Sequence, residues 1–139
     1  MKIKKLMATA LATVAIMSAT CMNASAASAN YIRSYSGKEY VISGKGTVIC
    51  QGAVTRSSTT NRYTVKSSTG LNTQSGGASI STVIYYYDAN GNYKSTGNGN
   101  GGQNGALTLA TAPANVDYLY ARNTHMGYGV TVLYAYLYY

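Results

Sequence analysis

Beyond the first 29 residues, the sequence offers three carboxylates (Glu39, Asp88, Asp117), one imidazole (His125) and one thiol (Cys50) for acid–base, nucleophilic or metal chemistry. Glycoside hydrolysis needs two carboxylates facing each other across a cleft. Three acids allow that, but Asp88 stands in the turn-forming stretch DANG, where its side chain has a structural use. A Ser-His-Asp relay is also open, since serine is abundant and Asp117 and His125 share a parity. No G-x-S-x-G elbow is present, and a triad is defined by geometry that spacing does not supply. One histidine and one thiol cannot complete a metal site. The expectation is a non-enzymatic protein with no catalytic residue, no metal and no cofactor, and a small hydrolase is kept as an alternative. Cys50 shares its parity with Val48 and Val54, which reads as a small buried apolar residue. As the only cysteine after the leader it can form no internal disulfide, so the core alone must hold the domain.

The chemistry in surplus is recognition. The chain has fifteen tyrosines and neither Trp nor Phe. In VDYLYARNTH (116–125), Leu119 and Ala121 have core parity, which places Tyr118, Tyr120 and Arg122 in an outward row. Tyrosine and arginine dominate recognition surfaces, and a tyrosine ring can stack on a sugar face while its hydroxyl bonds to it. His125, just before MGYG, is expected to cap a loop at the strand end. As the one side chain whose ordinary pKa lies near neutrality, it is also a candidate ligand contact. The candidate binding residues are therefore Tyr118, Tyr120, Arg122 and His125. Strand propensity by itself also favours tyrosine here.

The elements that must position these residues are strands. After the leader no apolar residues recur at helical spacing, and β-branched residues and tyrosines alternate with polar ones between glycine-rich turns. KEYVIS (38–43) leads through GKG to TVICQGAVTRS (47–57), with Gly52 as a candidate bulge. RYTVKSS (62–68) turns Tyr63 and Val65 inward. ASISTVIYYY (78–87) ends at DANG (88–91), a type I turn followed by a residue at positive φ. GNGNGGQNG (97–105) reads as a flexible hairpin loop, since no helix follows to make it a phosphate cradle. ALTLA (106–110) is expected to point Leu107 and Leu109 inward. The closing strand (129–138) is apolar on both faces, which suits a central strand or one covered on assembly. Seven or eight such strands make a single antiparallel β-sandwich of immunoglobulin-like or jelly-roll-like topology.

Export is written at the start. MKIKK is basic, LMATALATVAIMSA is apolar, and NASAASA supplies small residues for cleavage after Ala29 or Ala26. Residues 1–29 are read as a signal peptide and 30–139 as a secreted bacterial domain. The run is short against the roughly 20 apolar residues of a membrane span, and Cys21 lacks the flanks of a lipoprotein signal, so no stable membrane anchor is expected. Residues 30–139 carry eight Lys and Arg against three acids. The cations are scattered singly, unlike the basic stripe of a nucleic-acid binder, so no nucleic-acid partner is expected.

Two resemblances follow from particular residues. The spacing from LTL through Asp117 and Tyr120 to GVTV is similar to the last three strands of immunoglobulin-like domains, although it is one residue short of a tyrosine corner and lacks paired Cys and a core Trp. The leader, the cationic Tyr- and Gly-rich chain, Thr124-His125 before an alternating strand and the closing Tyr138-Tyr139 resemble small β-sandwich bacteriocins of the lactococcin type, over about the last twenty residues. That resemblance implies an antimicrobial role as an alternative. The leading expectation is a secreted protein that binds a glycan or anionic cell-envelope component at the cell surface. A structural protein that forms homo-oligomers by strand pairing is a further alternative.

Overall fold

The computed structural model describes residues 33–73 and 75–139. The expected leader, its cleavage points at Ala26 and Ala29, and Cys21 lie outside the described residues. Among the described residues eight strands follow one another: β1 (Ser34–Ile42), β2 (Gly46–Arg56), β3 (Tyr63–Leu71), β4 (Gly77–Tyr87), β5 (Tyr93–Gln103), β6 (Gly105–Thr111), β7 (Asp117–Gly127) and β8 (Val130–Leu137). They form two four-stranded sheets, ordered β1-β2-β3-β6 and β5-β4-β7-β8, and every pairing is antiparallel. The result is the expected all-β sandwich.

Turn chemistry matches the sequence. Asp88 Oδ1 accepts from the amides of Asn90 and Asn92, both at 2.9 Å, and Gly91 takes φ 78°. The backbone amide of Asn92 first, helped by Asn90, the Asn92 side chain and Lys94, holds the Asp88 carboxyl below its usual range. Tyr128 and Gly129 are both at positive φ, as a two-residue hairpin between β7 and β8 requires.

The core is layered. Toward one end Val54, Val65, Ile84, Tyr86 and Leu137 form an apolar cluster. Beside it lies a polar layer in which Ser67, Thr69, Thr82, Thr108, Asn123 and His125 are all buried. Its bonds run in one direction. Thr69 Oγ1 donates to the Ser79 carbonyl (3.0 Å), so it must accept from His125 Nδ1 (2.8 Å). His125 Nε2 then accepts from the Tyr35 hydroxyl (2.5 Å), which accepts from Asn123 Nδ2 (2.8 Å). Asn123 Oδ1 accepts from Thr82, whose oxygen accepts from Thr108, each at 2.8 Å. The chain passes repeatedly between the sheets and satisfies the residues it links, leaving Ser67 Oγ beside it without a bond. Gly52 makes room for it, because a Cβ there would lie 2.7 Å from both Asn123 Nδ2 and the Tyr35 hydroxyl. Gly52 pairs with Tyr35 where the register shifts between Tyr35 and Lys38 and regularly with Ser67, so the extra residue of the expected bulge lies on the partner strand β1 and Gly52 itself is a packing glycine.

One side of the sandwich is sealed by side chains. Residues 97–105, expected as a loop, are instead mostly strand β5, joined to β6 through Asn104 at φ 64°. Asn98 Nδ2 donates to the Leu109 carbonyl (3.2 Å) and Asn100 Nδ2 to the Leu107 carbonyl (2.9 Å). Their Oδ1 atoms accept the amides of Gly99 and Gly101, each at 3.0 Å. Each asparagine thus bridges the edges of two different sheets. On the opposite side β1 and β8 are the outermost strands among the described residues, and both carry irregular register, between Tyr35 and Lys38 in β1 and beside Val132 in β8.

Two expectations about facing are overturned. Thr108 and Ala110 point inward from β6, leaving Leu107 and Leu109 outward at 50% and 56% exposure, because the inward register is fixed by the Thr82–Thr108 bond. The closing strand β8 is an edge strand, not a central one. Leu133 and Leu137 cover its inner side, and tyrosines occupy its outer side.

Candidate functional site

The outward face of the β5-β4-β7-β8 sheet gathers tyrosines from all four strands. Tyr87 pairs in register with Tyr93, Tyr85 with Tyr120, and Arg122 with Tyr136. Alternation then brings six rings into one network: Tyr87–Tyr93 (5.9 Å between centroids), Tyr93–Tyr85 (6.0 Å), Tyr85–Tyr120 (4.8 Å), and Tyr120 to both Tyr136 and Tyr138 (5.9 Å each). Offset and tilted rings at such distances attract one another beyond simple burial. Tyr93, Tyr134 and Tyr136 are well exposed, and Tyr120 sits half-buried at the hub. Burial first, then the neighbouring Tyr120 and Tyr136, raises the hydroxyl pKa of Tyr138. Further along the same face, register aligns Ser79 and Ser81 with Gly101 and Gly99, so the tyrosines give way to a strip of small residues.

Of the four residues singled out from the sequence, two lie on this face. Tyr120 is its hub, and Arg122 stands beside it, half-buried, with Nε covered and without a hydrogen-bond partner. Tyr118 points the other way. The register shifts between Tyr85 and Tyr86, so Tyr85 opposes Tyr120 while Tyr86 opposes Tyr118, and Leu119 is the extra residue of a bulge. Tyr118 therefore joins the interior, stacks on Tyr63 (4.6 Å, 24° between planes) and donates to the Leu137 carbonyl at 2.8 Å. Burial above all pushes its hydroxyl pKa up. His125 is not a loop cap either. It is 0% exposed within β7, locked between Tyr35 and Thr69, and burial lowers its pKa to about 3.

The same bulge separates Asp117 from His125. Asp117 opposes Tyr87 on the outward side, whereas His125 opposes the buried Ile80. The parity that made them a possible acid–base pair is broken between them. Cys50 is fully buried, as its parity indicated, and burial raises its thiol pKa well above the ordinary value. The Tyr35 hydroxyl is enclosed even though part of its ring reaches the surface, and burial raises its pKa in the same way. Ser67 Oγ lies close enough to Tyr35 to favour its ionised form slightly, yet makes no bond of ordinary geometry. Among the described residues, no group of three or more His, Cys, Asp or Glu is placed to hold a metal ion.

Sequence reasoning missed Tyr85, Tyr87, Tyr93, Tyr136 and Tyr138 as members of one surface. Alternation within YYY and YAYLYY carried that signal, but only strand pairing shows that both stretches flank Tyr120. No family model, curated protein or solved structure matches the chain.

Proposed function

We propose that the protein is a secreted, non-enzymatic binding module that takes an extended glycan across the tyrosine-covered face of the β5-β4-β7-β8 sheet. The observation that carries this reading is the network of six contiguous rings on one outward sheet face, centred on Tyr120. An aromatic patch of this kind is costly to leave in water and marks an interaction surface. The phenol hydroxyls of its exposed rings supply the polar contacts that a sugar ring needs alongside stacking. The leader expected from the sequence would deliver the domain to where such polymers are found.

Assembly by strand pairing is the rival reading. The irregular register of β1 and β8, the outermost strands among the described residues, opposes it, since bulges are one way natural sheets discourage edge-to-edge growth.

Binding of the mature chain to a glycan array and to insoluble polysaccharides tests the proposal. Tyr120→Ala should weaken binding by at least about tenfold, as loss of a hot-spot ring does. Substituting Thr55, on the opposite sheet, should leave binding unchanged. Wild-type protein that retains none of the polysaccharides would overturn the proposal, and so would retention unaffected by Tyr120→Ala.

A further inference from the structure

We infer that the end of the sandwich adjoining the tyrosine face is a second binding locus, which takes anionic groups, so that the glycan recognised is an acidic one. This deepens the glycan reading and rests on it.

The locus is built from strand ends. Arg33 precedes β1, Arg56 closes β2, Tyr63 opens β3 and Tyr139 follows β8. The Arg33 guanidinium carbon lies 4.4 Å from the centre of the Tyr139 ring, and that of Arg56 lies 5.5 Å from the Tyr63 ring. The two rings meet edge to face at 5.3 Å, and Tyr63 is backed by Tyr118. An aromatic pair thus stands between two exposed arginines. Asn61 accepts one hydrogen bond from Arg56 Nη2 and is itself braced by Asn115 at 2.6 Å, which tethers the guanidinium at this end.

A guanidinium held against a ring has one face covered while its in-plane donors stay available, and it sheds water more readily than an ammonium does. That is the disposition needed for forked recognition of a carboxylate, phosphate or sulfate. The acids nearest this end are otherwise placed. Asp88 is held by the amides of its own turn, and Asp117 faces outward beside Tyr87. Residues 33–139 hold eight Lys and Arg against three acids, so the surface as a whole attracts a polyanion. Two anchoring cations with apolar rings between them fit a polymer bearing repeated anionic substituents better than a single small ion.

The end is continuous with the tyrosine face through the last two residues. Tyr138 joins Tyr120 on the face, and Tyr139 joins Tyr63 and Arg33 at the end. One chain lying across the rings can therefore pass over the end and meet both arginines.

Affinity for hydroxyethylcellulose and for carboxymethylcellulose of matched length, at low and high salt, tests the inference. Wild-type protein should bind the carboxylated polymer at least about tenfold more tightly at low salt, and high salt should erase most of the difference. The double variant Arg33→Ala/Arg56→Ala should lose that preference and keep its affinity for the neutral polymer. Arg33→Lys/Arg56→Lys should retain only part of it. Tyr120→Ala should lose both polymers. Equal affinity for the two polymers, or a preference that survives removal of both arginines, would overturn the acidic locus and leave the glycan reading standing. Binding to neither polymer would remove both. Single-stranded DNA bound as tightly as the carboxylated polymer, through the same arginines, would show that the end reads charge alone and would overturn the assignment to a glycan.

Discussion

The Tyr35 hydroxyl meets His125 Nε2 at 2.5 Å across the gap between the two sheets, joining residues 90 positions apart in the chain. This bond fixes the histidine tautomer, because Thr69 needs the Nδ1 proton. It also favours the neutral ring, since a proton on Nε2 would leave the Tyr35 hydroxyl proton without its acceptor. The interior holds a neutral imidazole.

Acid should therefore weaken the fold. His125 has a folded pKa of about 3, below its unfolded value near 6.5, so the unfolded chain takes up the proton first as pH falls. This contribution is complete above about pH 6.5 and is lost between there and about pH 3, at up to about 1.4 kcal/mol per pH unit. Thermal melts across that range should show the decline. As His125 is the chain's only histidine, its ring proton resonances can be followed without ambiguity. They should not shift between neutral pH and pH 5, and titration near 6.5 in the native protein would refute the buried placement.

Gly52→Ala should cost about 1–3 kcal/mol, the usual penalty of overpacking. Its Cβ would press on Asn123, the Tyr35 hydroxyl and Ser67 Oγ together. Urea unfolding measures this, and a neutral result would mean that the polar layer yields freely.

Tyr118 and Tyr120 stand two residues apart and should behave oppositely. Tyr118→Phe removes the bond to the Leu137 carbonyl and should cost about 1 kcal/mol, and Tyr118→Ala about 3–5 kcal/mol. Tyr120→Ala should cost less, about 1–2 kcal/mol, because its ring lies on the outer face and loses ring contacts without opening a core cavity. Equal losses on denaturant titration would place both rings on the same side of β7.

Asn100→Asp should destabilise the sealed side by about 1–3 kcal/mol, since a carboxylate oxygen would replace the donor facing the Leu107 carbonyl. Hydrogen exchange should show faster opening of β6, and the loss should lessen at acid pH, where a protonated carboxyl can donate again. No change in exchange would show that the bridge contributes little.

Cys50 should react slowly with a thiol reagent in the native protein and quickly in denaturant, as burial both hides the sulfur and keeps it protonated. Rapid native labelling would contradict the core placement.

Alternation alone revealed the interior of β2 and β3, where Val48, Cys50, Val54 and Val65 face inward as their spacing indicates. It failed wherever one residue was inserted. The bulge at Leu119 reverses Tyr118, and nothing in VDYLYARNTH marks it, because either parity buries acceptable residues. The facing of β6 was hidden for a different reason. Apolar Leu107 and Leu109 looked like the core side, yet the interior here is a polar layer that selects Thr108. The Asn-Gly run reads as a loop in the sequence because its strand is stabilised by asparagine side chains, which act on a neighbouring sheet and leave no local propensity signal. The two apolar faces of β8 suggest a central strand, whereas it is an edge strand whose outer face carries the exposed rings of Tyr134 and Tyr136.

The tyrosine network also gives the molecule an optical character. With neither Trp nor Phe in the chain, its near-ultraviolet absorption and emission belong overwhelmingly to tyrosine. Ring centroids 4.8–6.0 Å apart are close enough for excitation to migrate among them before it is emitted. The six rings then form a shared antenna, and whatever rests on one of them alters the emission of the whole group. The protein thus carries its own reporter, on the face where contact is proposed to occur.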